Sequence, residues 1–338
     1  MRRRITYSAI AVAVIALTVS MFLVGHSSVP PLAGAADTTS TSTTTTTGST
    51  TTTSSSTSTS TSTTSSTTTS TTPSPPVAGF YLDIGGSASL GFQPDGVLHH
   101  NGHRTNEGYA NDVKALEAKN VTLTLRQVGC PGETVQSMLG LLKNACYHLP
   151  VTQLMRSIDA LTANGNEPGL VTIDLGFNNI RPCLSPTVVE QTCVSQGVTL
   201  VRQYLPRILK ELQEAAGPNV HFVGLEYADP FLGYYLDGAS GPAIATQSLT
   251  AMTQMNVTLN EVYAQANIPV ANVPGAYESD NNSPENLANV GAIPQNVQEV
   301  CLWTWMCTPQ PFGPDDHPNN AGYMIIAKTI IATLPTKW

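Results

Sequence analysis

Four short stretches hold the residue types that acyl transfer needs: "GGSAS" around Ser87, "CPGET" around Gly132, "GFNN" around Asn178 and "DDHPNN" around His317. The reaction requires an activated hydroxyl, a base within hydrogen-bond reach, and donors aimed at the developing oxyanion. Ser87 offers the hydroxyl. His317 offers the base, its ring oriented by Asp315, by Asp316 or by a backbone carbonyl. The N–H groups of Ser87 and Gly132 and the side-chain amide of Asn178 are the candidate oxyanion donors, and glycine at 132 lets the backbone come close to a substrate. Each residue alone also has a plainer reading. Ser87 and Gly132 suit turns after strands, Asn178 suits a strand-to-loop exit, and His317 suits a loop before a helix.

Other chemistry is weaker in this sequence. "HHNGH" groups His99, His100 and His103, and three imidazoles can bind zinc, but no carboxylate accompanies them and the segment reads as a surface loop. No C-x-x-C pair occurs, so a metal site is not expected. Tyr227, Tyr234, Tyr235, Trp303 and Trp305 follow later apolar runs, where aromatic residues serve equally as core packing or as the wall of an acyl or sugar site.

These residues must be positioned by a folded unit, and composition delimits it. Residues 1–36 begin "MRRR", continue through an apolar run from Ile5 to Val24 and reach the small-residue "LAGA" ending at Ala35. They read as a signal peptide or an uncleaved N-terminal anchor, which puts the rest outside the cytoplasm. Residues 37–76 are almost wholly Ser and Thr, closed by "PSPP". With no large apolar side chain they form no core, and they read as a low-complexity linker, a stalk suited to association with the cell envelope. Residues 77–338 are long enough for one α/β domain with a single core. The net charge of −8, with 15 Lys and Arg against 23 Asp and Glu, argues against a nucleic-acid partner. All six cysteines fall in the folded part. In an exported chain they read as disulfides, and Cys130–Cys146, Cys183–Cys193 and Cys301–Cys307 each close a short loop.

Five apolar runs bounded by turn residues, "VAGFYLDIG", "VTLTLRQVG", "LVTIDLG", "VHFVGLEYA" and "IPVANVP", predict buried parallel strands. Helical patterns alternate with them: "NEGYANDVKALEAK", "TVQSMLGLLKNA", "TQLMRSIDALTA", "VTLVRQYLPRILKELQEAA", "SLTAMTQMNVTLNEVYAQA" and "NAGYMIIAKTIIATL". Val201, Leu205, Ile208, Leu209 and Leu212 make one apolar helix face. Alternation of this kind predicts an α/β fold: a doubly wound, mostly parallel five-stranded sheet with helices on both faces. Such sheets carry their sites beyond the carboxyl ends of the strands, where Ser87, Gly132 and Asn178 all fall.

The four stretches, in this order, resemble the blocks of the SGNH (GDSL) hydrolase family, especially its exported actinobacterial esterase and lipase branch, over essentially all of residues 77–338. "GGSASLG" resembles G-D-S-x-S-x-G with Ser87 at the nucleophile. "CPGET" places Gly132 at the oxyanion glycine, "GFNN" resembles G-x-N-D with Asn178 at the oxyanion asparagine, and "DDHPNNAGY" places His317 at the catalytic histidine. The resemblance implies the three-layer α/β/α, flavodoxin-like SGNH hydrolase fold and a Ser-His(-Asp) esterase or lipase. It implies no cofactor, a monomer, and a small-molecule, lipid or acetylated-glycan ester as substrate. Family forms reading P-D-x-H-P imply Asp315 as the acid, and Asp316, directly before the histidine, is expected to face solvent. Two family aspartates are replaced, by Gly86 and Asn179, and these changes suit the competing expectation of a cell-wall binding or structural protein that keeps the fold without turnover. The α/β-hydrolase pattern G-x-S-x-G is not met by "GGSAS", and the acid does not lie well before the histidine.

Overall fold

The computed structural model describes residues 76–97, 102–287 and 291–335. The expected leader, nearly all of the linker, and His99 and His100 lie outside the described residues. Strands and helices run in the order β1 (Val77–Gly85), α1 (Tyr109–Glu117), β2 (Val121–Gln127), α2 (Val135–Met138), α3 (Gln153–Asn164), β3 (Gly169–Asp174), α4 (Phe177–Ile180), α5 (Gln191–Ala215), β4 (Val220–Leu225), α6 (Gly241–Gln265), β5 (Val270–Ala271), α7 (Val273–Ala276), β6 (Pro284–Leu287), β7 (Gly291–Pro294), α8 (Gln295–Trp303) and α9 (Asn320–Ile331).

All five expected strands form one sheet in the order β2-β1-β3-β4-β5, parallel throughout. A separate antiparallel hairpin of β6 and β7, which the apolar pattern does not announce, lies outside it. Successive side chains of β1 point to opposite faces. Phe80, Leu82 and Ile84 join a core with α3, α5, α6 and α8, whereas Tyr81 joins a second core with α1, α7 and α9. The sheet is therefore the middle of three layers. The apolar face of α5 is as expected: Val201, Leu205, Ile208, Leu209 and Leu212 are all fully buried.

One expected helix is cut short. "TVQSMLGLLKNA" is helical only over Val135–Met138. Asn144 turns the chain instead, because its amide donates to Glu133 while its carbonyl oxygen accepts the N–H groups of Cys146 and Tyr147. Local side-chain bonds to backbone compete with helix in this way, and the Cys130–Cys146 disulfide closes the loop. The other two expected disulfides, Cys183–Cys193 and Cys301–Cys307, are also formed.

Two buried polar clusters fix the carboxyl end of β1. On one face, Asp83 accepts hydrogen bonds from Thr172 (2.7 Å) and Tyr109 (2.8 Å), and burial raises its carboxyl well above the usual carboxylate range. On the other, the Gln153 amide spans Gly85, accepting its N–H at 2.9 Å and donating to its carbonyl at 3.0 Å, and also donates to Glu133 at 3.0 Å. Gln153→Ala strands the buried Gly85 N–H and takes a donor from Glu133; urea unfolding is expected to show a loss of about 2 kcal/mol, and an unchanged midpoint would refute that role.

Candidate active site

Ser87 follows β1 by two residues. Its carbonyl accepts the N–H groups of Leu90 (3.0 Å) and Phe92 (3.2 Å), which winds the chain into a 3-10 turn over Ala88–Leu90. Ser89 ties the turn to itself through the Gly86 carbonyl (2.8 Å), and Gln127 at the end of β2 donates to the Ser89 carbonyl (2.6 Å). The serine is thus presented from a braced turn at the site end of the sheet.

His317 arrives from the far end of the chain. Its carbonyl accepts the Trp305 N–H (3.1 Å), the Trp305 carbonyl accepts the Asp315 N–H (3.3 Å), and the Asn319 N–H reaches Trp303 (3.0 Å). Asn319 also caps α9 by accepting the Gly322 N–H (3.1 Å). On this frame His317 Nε2 stands 2.7 Å from Ser87 Oγ, and Nδ1 stands 2.7 Å from Asp315 Oδ1, which also accepts the His317 N–H at 2.9 Å. The imidazole therefore bridges one hydroxyl and one carboxylate.

The second carboxylate departs from expectation. Asp316 does not face solvent; its side chain is 5% exposed, lines the cleft and pairs with Arg181, leaving Oδ1 3.6 Å from His317 Nδ1. Arg181 comes from the turn after α4, where "NNIRPC" gave no signal of a role. Among the described residues, Asp315, Asp316 and His317 are also the group of His, Cys, Asp and Glu close enough to share an ion, but their bonds to Ser87, Arg181 and one another already engage them. Exposed His103 pairs through its backbone with Gln93.

Charge accounts for the titration of the histidine. Burial disfavours the charged ring, but the hydrogen bond to Asp315 and the charges of Asp316 and Asp315 outweigh it and raise His317 above the ordinary imidazole value. Burial likewise opposes the charge on Asp315, yet the bonds and charge of His317 hold its carboxyl below the usual range. Asp174, the last residue of β3, also lines the cleft, and burial raises its carboxyl.

Gly132 and Asn178 follow β2 and β3, the two strands that flank β1. Asn178 lies in α4 and lines the cleft with Ser87 and His317. Its Nδ2 sits 2.7 Å from where a Cβ at Gly86 would be, so an aspartate at 86 has no room unless Asn178 moves. Gly132 stands outside the cleft lining, in the loop that the Cys130 N–H ties to the Gly85 carbonyl at 3.0 Å; its φ of 76° is one that L residues rarely adopt. Asn179 links two of the sequence blocks, accepting the Val135 N–H (3.2 Å) and donating to Gln136 (2.7 Å).

The cleft has an empty volume of about 730 Å³, its open mouth included. Beyond the polar groups it is walled by Phe177, Leu225, Ala228, Pro230, Val273 and Ile326. Of the five aromatic residues singled out by position, Tyr227 lines it, packed on Phe177 with ring centroids 5.4 Å apart. Tyr234 stacks on Phe231, Tyr235 packs against the larger core, Trp303 meets Tyr277 edge-on, and Trp305 stacks on Phe312.

Among known structures, a phospholipase A1 from Streptomyces albidoflavus NA297 matches with a TM-score of 0.50 at 16% identity, covering 76% of this chain and 100% of that one, which marks a shared fold. An extracellular lipase from Streptomyces rimosus matches with a TM-score of 0.48 at 16% identity, covering 76% of this chain and 100% of that one. An acetylxylan esterase from Geobacillus stearothermophilus gives 0.45 at 14% identity, covering 78% and 97%. No curated protein matches the sequence. The GDSL-like Lipase/Acylhydrolase family matches residues 84–325, a span that contains Ser87, Asn178 and His317. On that match and this α/β architecture, the chain belongs to the GDSL-like lipase/acylhydrolase family and is a carboxylic ester hydrolase.

Proposed function

We propose that the chain is an exported serine esterase or lipase that cleaves acyl esters longer than acetate through a Ser87-His317-Asp315 acyl-enzyme mechanism. The observation that carries this reading is the unbroken hydrogen-bond line from Ser87 Oγ through His317 to Asp315. His317 Nε2 takes the Ser87 proton as the oxygen attacks the ester carbonyl. Asp315 holds the ring with Nε2 toward the serine and stabilises the imidazolium. The oxyanion is met by the Asn178 amide and the Ser87 N–H, both of the cleft lining, with the Gly132 N–H as a third donor from the loop tied to Gly85. His317 then returns the proton to the leaving alcohol, and a water activated by the same imidazole releases the acid. Three disulfides and the basic-then-apolar leader support export. The apolar cleft wall supports an acyl chain, because burying each methylene there is favourable by about 0.8 kcal/mol.

In hydrolysis of a p-nitrophenyl ester, Ser87→Ala is expected to lower kcat on the order of 10⁶-fold, Asp315→Asn on the order of 10⁴-fold and Asn178→Ala about 10² to 10³-fold. Hydrolysis unchanged in Ser87→Ala would end the proposal. Across an ester series from acetate to palmitate, kcat/KM should rise beyond acetate, and Val273→Trp should cut the longer esters while sparing acetate; an acetate optimum would redirect the reading to acetylated glycans.

The base must be neutral to accept a proton, so kcat/KM falls as pH drops through the His317 pKa, and that midpoint lies above the ordinary imidazole value. Asp316 favours the charged ring and Arg181 opposes it. Asp316→Asn should therefore move the acid limb down in pH and Arg181→Gln should move it up. Coincident limbs in both variants would show that neither charge reaches the imidazole.

A further inference from the structure

Among the large apolar side chains exposed on the described surface, four lie close together along the chain. Leu141, Leu142, Leu149 and Met155 are 54%, 54%, 59% and 46% exposed within a single short stretch. Leu142 and Leu149 share a groove with Lys143, Tyr147 and His148. Single exposed apolar residues need no explanation, whereas a group of them marks a contact surface. The loop leaves the carboxyl end of β2, is closed by Cys130–Cys146 and returns to α3, whose first residue grips Gly85. The patch therefore stands at the same end of the sheet as Ser87.

The charges around the patch say what it meets. Lys143, Arg126 and Arg156 are all exposed, and Arg126 and Arg156 both act on Tyr147 in the groove. Asp159 pairs with Arg156 at 3.9 Å, both exposed, whereas Glu133 is buried behind the loop with its carboxyl pushed up to about 7 by desolvation. In a chain of net charge −8, these cations frame an apolar surface. A symmetric dimer through this face would set the cations against their own copies. An anionic lipid surface accommodates both features, the leucines in the acyl boundary and the cations among the headgroups.

We infer that the 139–151 loop, with Met155 and its flanking cations, is a docking surface that seats the protein on an anionic lipid–water interface with the cleft toward the lipid. The choice of lipid as occupant rests on the acyl-ester reading of the cleft, while the docking itself does not require turnover.

Amide hydrogen exchange of the full chain on phosphatidylglycerol vesicles reads the loop locally, whatever the N-terminal segment does. Residues 139–151 should gain protection on phosphatidylglycerol, less on phosphatidylcholine, and less again at high salt. Leu142→Asp and Leu149→Asp should each weaken the loop's protection midpoint about tenfold, with hydrolysis of a soluble short-chain ester unchanged because neither residue lines the cleft. Loop protection that is absent, indifferent to headgroup charge, or unaltered in both variants overturns the inference, and protection that grows with protein concentration without vesicles assigns the face to a second copy. If soluble esters are not hydrolysed, the esterase mechanism fails on its own, and the exchange result still decides the docking.

Discussion

Everything at this site depends on one contact made across most of the folded chain: His317 Nε2 against Ser87 Oγ, 230 residues apart in sequence. Closing so long a loop carries an entropic cost that grows only slowly with length, but the two groups must also be held within hydrogen-bond range. The braced turn after β1 fixes one side. On the other, backbone bonds through Trp303 and Trp305, with the Asn319 cap, fix the histidine loop at the entry to α9. Because α9 packs with α1 and β1 in one core, both halves of the contact are anchored to the same apolar layer.

The electrostatics at the imidazole follow from keeping two adjacent carboxylates in distinct roles. Asp315 takes Nδ1 directly, while Arg181 draws Asp316 into the cleft wall and away from the closest approach to the ring. A buried carboxylate without a partner is costly, and here the arginine supplies one. The same opposition of desolvation and hydrogen bonding recurs at Glu133, buried beside Gly132 and held by Ser137, Asn144 and Gln153. The loop that offers Gly132 is thereby connected to Gly85, next to the serine turn.

The departures from the family blocks look different once placed in space. Gly86 leaves room for the Asn178 amide over the serine turn. Asn179 keeps one acceptor toward the Val135 N–H and uses its second group, an amide where an aspartate has an oxygen, to reach Gln136. Both positions thus contribute to the geometry of neighbouring blocks, and the hydrogen-bond line from serine to acid is complete without the two aspartates.

The five strands, the layer order, the long helices and the three disulfide pairs were legible in the sequence, because burial on both faces of a parallel sheet writes continuous apolar runs and a one-sided helix writes a 3.6-residue period. That Ser87, Asn178 and His317 share one cleft was legible because two of them follow predicted strands and the third precedes the last predicted helix. The sequence did not reveal that Asp316 turns inward, since its partner Arg181 is 135 residues away and nothing local announces the pair. Nor did it show that "TVQSMLGLLKNA" breaks its helix, because Asn144, Glu133 and the disulfide act through bonds that periodicity does not register. Local pattern determined which residues are apolar and which could react; tertiary structure decided which charges meet and which leucines are left uncovered, because both depend on distances between segments that are remote along the chain.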